Sequence, residues 1–219
     1  MTGLFVVVDG PSGVGKTTAS ALLVRLLAQE GWPVHPTKEP SNSVLGRTAR
    51  HGTDEYRGLT LACLVAADRY HHLETEVRPA LEAGKVVVCD RYLPTSLVLQ
   101  RLDGVEPDFI WRLNRYADRP DLTIILTGDP TRSRARAEER GIHSRFHRGG
   151  PAAGRRERDL YAHVATELQN AGFRVHRHDV GEHRPEQVVA ALLVEVRRLL
   201  TATPAAQATT TDADLINES

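Results

Sequence analysis

Apolar residues along this chain follow two alternating periods. Short β-rich runs stand at Leu4–Val8, Lys85–Cys89 and Leu122–Leu126, with weaker ones at Val34–Thr37 and Phe173–His176, and segments of helical period lie between them. The strong runs are continuously apolar, which is the pattern of strands covered on both faces, so an α/β fold with a parallel sheet and helices on either side is expected. Ala19, Leu22, Leu23, Leu26 and Leu27 make one helical stripe that Gly31 and Pro33 stop. Leu61, Leu64, Val65, Leu73, Val77 and Leu81 predict a long helix from Leu59 to Leu81, with Gly84 just past its end. Pro94 and Pro107 start two shorter helical pieces. Leu160, Val164 and Leu168 carry a helix ending at Gly172, and Val188, Val189, Leu192, Leu193, Val196 and Leu199 carry the last. One domain over residues 1–200 and a flexible tail over 201–219 follow, because the tail has few large apolar residues and no period. A basic, glycine-rich insert, "ERGIHSRFHRGGPAAGRR", interrupts the pattern and reads as a mobile lid, about 140–155, over something negative.

The first strand runs into "DGPSGVGKTT", and here the pattern acquires chemistry. Gly10-x-x-x-x-Gly15-Lys16-Thr17 has phosphate-loop spacing, in the strand-to-helix setting such a loop needs. Gly10, Gly13 and Gly15 let the backbone turn its N–H groups, together with those of Val14 and Thr18, toward a β-phosphate at a helix N-terminus. Lys16 would bridge the β- and γ-phosphates and the Thr17 hydroxyl would hold Mg²⁺. Phosphate binding alone does not choose between a kinase, a guanine-nucleotide switch and a motor ATPase. The chain has no N-K-x-D segment to read guanine and no long motor-type insertion.

Charge and cysteine usage narrow the partners. Lys plus Arg and Asp plus Glu each number 28 in 219 residues, so no net field draws a nucleic-acid polymer or an anionic membrane. Cys63 and Cys89 lie in apolar runs without metal-ligand spacing and read as buried small hydrophobes, a usage that fits a reducing cytoplasm. No apolar run reaches the ~18 residues of a membrane span, and no export signal opens the chain.

Downstream, "TKEPSNS", "LACLVAADRYHHLETEVRPALEAGKVVVCDRYLPTSLVLQ" and "RPDLTIILTGDPTRSRARAEERG" follow in an order that resembles the thymidylate kinases, from about Leu4 to Leu200. The resemblance implies a P-loop NTPase-type five-stranded parallel sheet with a basic lid, and a transfer of phosphate from ATP, with Mg²⁺, to a nucleotide such as dTMP. It implies that Asp90 orders a metal-bound water, that Arg91 clamps the acceptor phosphate, and that Lys38 replaces an arginine there. Glu39 would organise Arg91 or Lys38, or act as a base were the acceptor a hydroxyl. Arg69 would contact the acceptor base, unless it only pairs with Asp68 or Glu74. Asp9, Ser12, Val65, Ser96, Leu99 and Gln100 complete the acceptor side. Arg136 would stack on adenine, and Arg140, Arg145 or Arg148 would supply transition-state charge from the lid. A homodimer through the Leu59–Leu81 helix is implied as well.

Three departures fall on the acceptor side. Ser12 stands where the family usually has an acid, Val65 where an aromatic stacks on thymine, and Leu99 where a tyrosine sits near the sugar. Losing a stacked ring is worth roughly 1–3 kcal/mol. Tyr70, Tyr92 and Trp111 are the candidates to compensate. Two competing readings therefore stand beside the dTMP kinase: a kinase of a modified nucleotide or nucleoside-like hydroxyl, and an inactive nucleotide-binding regulator.

Overall fold

The computed structural model describes residues 3–129, 131, 133, 146 and 150–202. Five strands, β1 (Leu4–Asp9), β2 (Val34–Lys38), β3 (Val86–Asp90), β4 (Leu122–Thr127) and β5 (Val175–Asp179), form one sheet in the order β2-β3-β1-β4-β5. All pairings are parallel: Val6 lies opposite Val88 on one side and Leu122 on the other. The α/β expectation and its five parallel strands are borne out. The fifth strand lies two residues later than Phe173–His176, because Phe173 packs against Trp111 and Arg119 as the chain enters the sheet.

Alternation along the strands divides the interior into two cores. Phe5, Val7, Val87, Cys89 and Ile125 face one side of the sheet; Leu4, Val6, Val8, Val86, Val88, Ile124 and Leu126 face the other. Helices α1 (Lys16–Gln29) and α8 (Pro185–Ala202) cover the second side with Leu23, Leu27, Val189, Leu192 and Val196. The first side is covered by α3 (Gly58–His72), α4 (Arg78–Glu82), α5 (Leu93–Leu102), α6 (Pro107–Leu113) and α7 (Pro151–Asn170). A fully buried leucine such as Leu23 contributes about 1.5–3 kcal/mol relative to an exposed one.

The long helix expected from Leu59 to Leu81 is not uniform. A π turn at Leu73–Val77 separates α3 from α4 just before Pro79, which has no N–H to give the preceding turn. Cys89 is buried as expected but Cys63 is exposed, because it lies on the outer side of α3 while Leu61, Ala62 and Ala66 face inward. The segment expected to be a lid over about 140–155 already becomes helix at Pro151, where α7 begins; its remaining residues, apart from Phe146 and Gly150, lie outside the described ones, as do residues 203–219 of the expected tail. Among the described residues no helix is long and apolar enough to cross a membrane.

Helix α2 (Val44–His51) is only eight residues long, with Val44, Leu45 and Ala49 its apolar residues, too short a run to announce it. It forms because Ser43 caps it, accepting from the Gly46 N–H at 3.0 Å, and because it sits directly on Ser41. A Cβ at Gly46 would lie 2.3 Å from the Ser41 carbonyl oxygen and 2.6 Å from its nitrogen. Both are backbone atoms that cannot swing aside. Gly46→Ala is therefore expected to cost about 1–3 kcal/mol in urea denaturation, against less than about 0.5 kcal/mol for Thr48→Ala on the exposed side of the same helix. Equal stability for the two variants would show that α2 does not rest on Ser41.

Candidate active site

The carboxyl ends of β1, β2 and β3 meet the phosphate loop, the edge at which an open parallel sheet holds its ligands. Gly10, Gly13 and Gly15 have φ of 144°, 77° and 109°. At Gly13 a side chain is also excluded by space, since a Cβ would lie 1.7 Å from the Ser133 carbonyl oxygen. Lys16 folds back over the loop, its Nζ donating to the Gly10 and Pro11 carbonyls at 2.7 Å each. Only 4% of it is exposed, and burial, aided by the Arg91 charge, lowers its amine to about 7 against the opposing pull of Asp9, Glu157 and Asp90.

Thr17 and Asp90, 73 residues apart, are joined by a 2.6 Å bond from Oγ1 to Oδ2. The other Asp90 oxygen, Oδ1, is buried with no hydrogen-bond partner among the described residues. A hydroxyl and a carboxylate with an unfilled oxygen beside a phosphate loop suit a hard oxygen-seeking cation such as Mg²⁺. Arg91 follows at φ 76°, a left-handed backbone that an arginine seldom adopts; its N–H donates to the Val8 carbonyl at 3.0 Å. The turn aims its side chain back over the loop, where Nη1 lies 3.4 Å from Thr95 Oγ1.

Asp9 is more engaged than a ligand contact would allow. It is fully buried, and its oxygens accept from the Gly10, Tyr92 and Thr95 N–H groups, the Thr95 hydroxyl and the Tyr161 hydroxyl at 2.7–3.1 Å. These bonds hold the loop and α5 in place around it.

Lys38, Glu39, Arg69, Asp90, Arg91, Ser96, Leu99, Gln100 and Val65 surround one cavity of about 400 Å³, which also reaches Thr17. Arg69 is buried at its wall, donating from Nε to Glu39 Oε2 at 2.9 Å and from Nη2 to Ser96 Oγ at 2.8 Å, with Nη1 on Asn114. Glu39 therefore pairs with Arg69, its other oxygen 3.4 Å from His72, and among the described residues is bonded to neither Arg91 nor Lys38. Asp68, one of the partners considered for Arg69, instead accepts from Ser41 and Ser43. Gln100 is buried at the cavity wall with no partner for its Oε1 among the described residues, while Lys38 is exposed. Of the candidate compensating rings only Tyr92 lines this cavity; Tyr70 donates to the Leu113 carbonyl and Trp111 packs on Phe173. Ser12 lies elsewhere, bonded to Glu157.

On the far side of the loop a second cavity of about 390 Å³ is lined by Gly13, Val14, Gly15, Thr18, Val180, His183 and Val188. The lid candidates Arg136, Arg140, Arg145 and Arg148 lie outside the described residues. Sequence reasoning missed Arg50, Asn114, Glu157, Phe146 and Tyr161. Arg50 and Phe146 line the first cavity, Asn114 and Tyr161 bond to Arg69 and Asp9, and none of these residues falls within a recognisable spacing.

The geometry agrees with what comparison with known proteins shows. The sequence model of thymidylate kinases matches residues 8–171. A thymidylate kinase of Clavibacter sepedonicus is 43% identical over 159 residues, covering 68% of this chain and 73% of its own length. A probable thymidylate kinase of Pyrococcus abyssi is 40% identical over 156 residues, 67% of this chain and 75% of its own. That of Leifsonia xyli subsp. xyli is 38% identical over 198 residues, 86% and 91% of the two chains.

The lowered Lys16 amine has a measurable consequence. In the window from about 7 to 10.5 the unfolded chain keeps a proton on Lys16 that the folded protein has released, so native stability should rise with pH there. Phosphate anions beside the amine should restore its charge. Binding of a nucleoside diphosphate at pH 8.5 is expected to take up roughly one proton, read from the buffer dependence of the calorimetric enthalpy, and Lys16→Met should abolish it. A buffer-independent enthalpy in the unaltered protein would mean that Lys16 is already charged before the nucleotide binds.

Proposed function

This chain belongs to the thymidylate kinase family, and from that premise we propose that it transfers the γ-phosphate of ATP to the phosphate of dTMP. It is a phosphotransferase of the nucleoside monophosphate kinase kind. The observation that carries the detailed reading is the meeting of two cavities on one phosphate loop, with Thr17, Asp90 and Arg91 at the edge of one and Gly13, Val14, Gly15 and Thr18 at the edge of the other.

In this reading the second cavity takes the donor and the first takes the acceptor. The loop N–H groups and Lys16 hold the donor phosphates in line with the acceptor. Lys16 leaves the carbonyls of Gly10 and Pro11 for the phosphates, which also restores its charge. Arg91 holds the acceptor phosphate and faces the charge that spreads over the transferred group. Thr17 and Asp90 would hold Mg²⁺, which neutralises phosphate charge when bound. Arg140 and Arg145 complete the proposed charge from the lid, and Arg136 the donor base contact. The acceptor base lies against Val65, Leu99 and Tyr92, near the unfilled Gln100 oxygen, with Arg69 fixed by Glu39 at the wall. Arg50, on the same wall, adds a cation toward the acceptor phosphate.

No general base is required, because a nucleotide phosphate is already an anion. Glu39 supports that choice over a hydroxyl acceptor, since its oxygens are directed at Arg69 and His72. A homodimer through the outer side of α3, where Leu59 and Cys63 are exposed, and action in the cytoplasm belong to the same proposal and rest on the family likeness.

The test is ADP release with ATP and Mg²⁺ across dTMP, dUMP, dCMP, CMP, UMP, dGMP and the parent nucleosides. Strong preference for dTMP is expected, with a loss of at least ~100-fold in Lys16→Ala. Turnover on a nucleoside or on another nucleotide alone would replace the acceptor, and nucleotide binding without any transfer would make the chain a regulator. Within the dTMP reading, Val65→Phe restores a stacking ring and is expected to raise kcat/KM for dTMP by up to about tenfold. An unchanged or lower value would remove Val65 from the base contact.

A further inference from the structure

The buried stripe of α7 runs Glu157, Tyr161, Val164 and Leu168, so a glutamate holds a position where helical periodicity would put an apolar residue. Its exposure is 7%, although its neighbours in "RRERD" read as a solvated charge run. A buried carboxylate needs partners, and this one takes two from a single residue 145 positions away. Oε1 accepts from both the N–H and the hydroxyl of Ser12, each at 3.0 Å.

One turn further along, the Tyr161 hydroxyl donates to Asp9 Oδ1 at 2.9 Å. Two successive inward residues of α7 thus grip the loop before and after Gly10 and Pro11, the residues whose carbonyls hold the Lys16 amine. Ser12 is followed by Gly13, which is pressed on its other side by the Ser133 backbone. The outer corner of the loop is therefore fixed by groups from outside the strand and helix it joins. Glu157 also adds a negative charge to the surroundings of Lys16 and Arg91.

We propose that Glu157 is a positioning residue of the phosphate loop, its reach across to Ser12 setting the loop conformation that receives the donor phosphates. The inference rests on the reading of this loop as the donor site, and it assigns Glu157 no contact with the acceptor. Reach matters here more than charge, because two donors of one residue converge on one oxygen. Three variants of the full chain separate the two: Glu157→Gln keeps the reach and an accepting oxygen, Glu157→Asp keeps the charge but withdraws it by one methylene, and Glu157→Ala removes both.

The measurement is ADP affinity by calorimetry, with turnover on the same preparations. Asp and Ala are expected to weaken ADP about tenfold and to raise KM for ATP with KM for dTMP unchanged, while Gln stays within about threefold of the unaltered protein. Ser12→Ala should weaken ADP in the unaltered background and have no further effect on Glu157→Ala. Unaltered ADP affinity in Asp, a larger loss in Gln than in Asp, or a rise confined to KM for dTMP would overturn the proposal. Should Glu157→Ala fail to fold, the Asp and Gln pair decides. An unaltered protein that binds ADP but phosphorylates no acceptor would overturn the kinase reading, and the ADP series would still decide the role of Glu157.

Discussion

Everything in the site is hung from one buried carboxylate. Asp9 ends β1 with no exposure, a placement that would be costly for an uncompensated charge. Five donors compensate it, and they come from three different places: the loop at Gly10, the start of α5 at Tyr92 and Thr95, and α7 at Tyr161. Satisfying one charge therefore fixes where the phosphate loop begins, where the chain after β3 turns, and how close α7 approaches. The left-handed turn at Arg91 belongs to this set, because the next residue, Tyr92, must present its N–H to Asp9 while Arg91 presents its own to Val8. A strained backbone residue persists when its surroundings determine it, and here they do so from both sides.

Opposite charges gather around that point. Lys16 and Arg91 face Asp9, Asp90 and Glu157, and Lys16 turns inward onto two carbonyls of the loop. In the proposed reading, phosphate oxygens take the place of these internal partners of Lys16. The lowered Lys16 amine and the orphaned Asp90 oxygen express the same condition with opposite sign. Burial, with the Arg91 charge beside it, disfavours the charge on Lys16, while one buried Asp90 oxygen has no donor among the described residues.

The sheet and its helices were legible because burial on both faces writes itself as continuous apolar runs, as at "LFVVVD" and "VVVCD", and because glycines stop the helices between them. The phosphate loop was legible because its function constrains spacing along the chain. Glu39 and Asp9 were legible as candidates but not in their roles, since which partner a buried charge finds depends on residues brought from elsewhere, Arg69 to one and Thr95 and Tyr161 to the other. Helix α2 was illegible: held by a serine cap and by contact with Ser41, it is too short, with too few apolar residues, to stand out as a period. Glu157 was hidden more thoroughly, since four of the five residues of "RRERD" are not buried and the fifth is.

The departures from the family pattern acquire meaning from where the fold puts them. Val65 and Leu99 lie on α3 and α5, helices that wall the first cavity, whereas Thr17, Asp90 and Arg91 lie at the start of α1 and at the end of β3. Strand ends and loop are locked to one another through Asp9, so a change there disturbs several partners at once. Val65 and Leu99 are apolar and make packing contacts alone, so they exchange with less consequence for the rest of the fold than residues bound to Asp9. Ser12 shows the intermediate case. It lies in the loop itself, yet a carboxylate still meets that corner, delivered by α7 instead of by the loop. In the proposed reading the architecture thus separates the residues that move a phosphate from the surface that chooses what receives it.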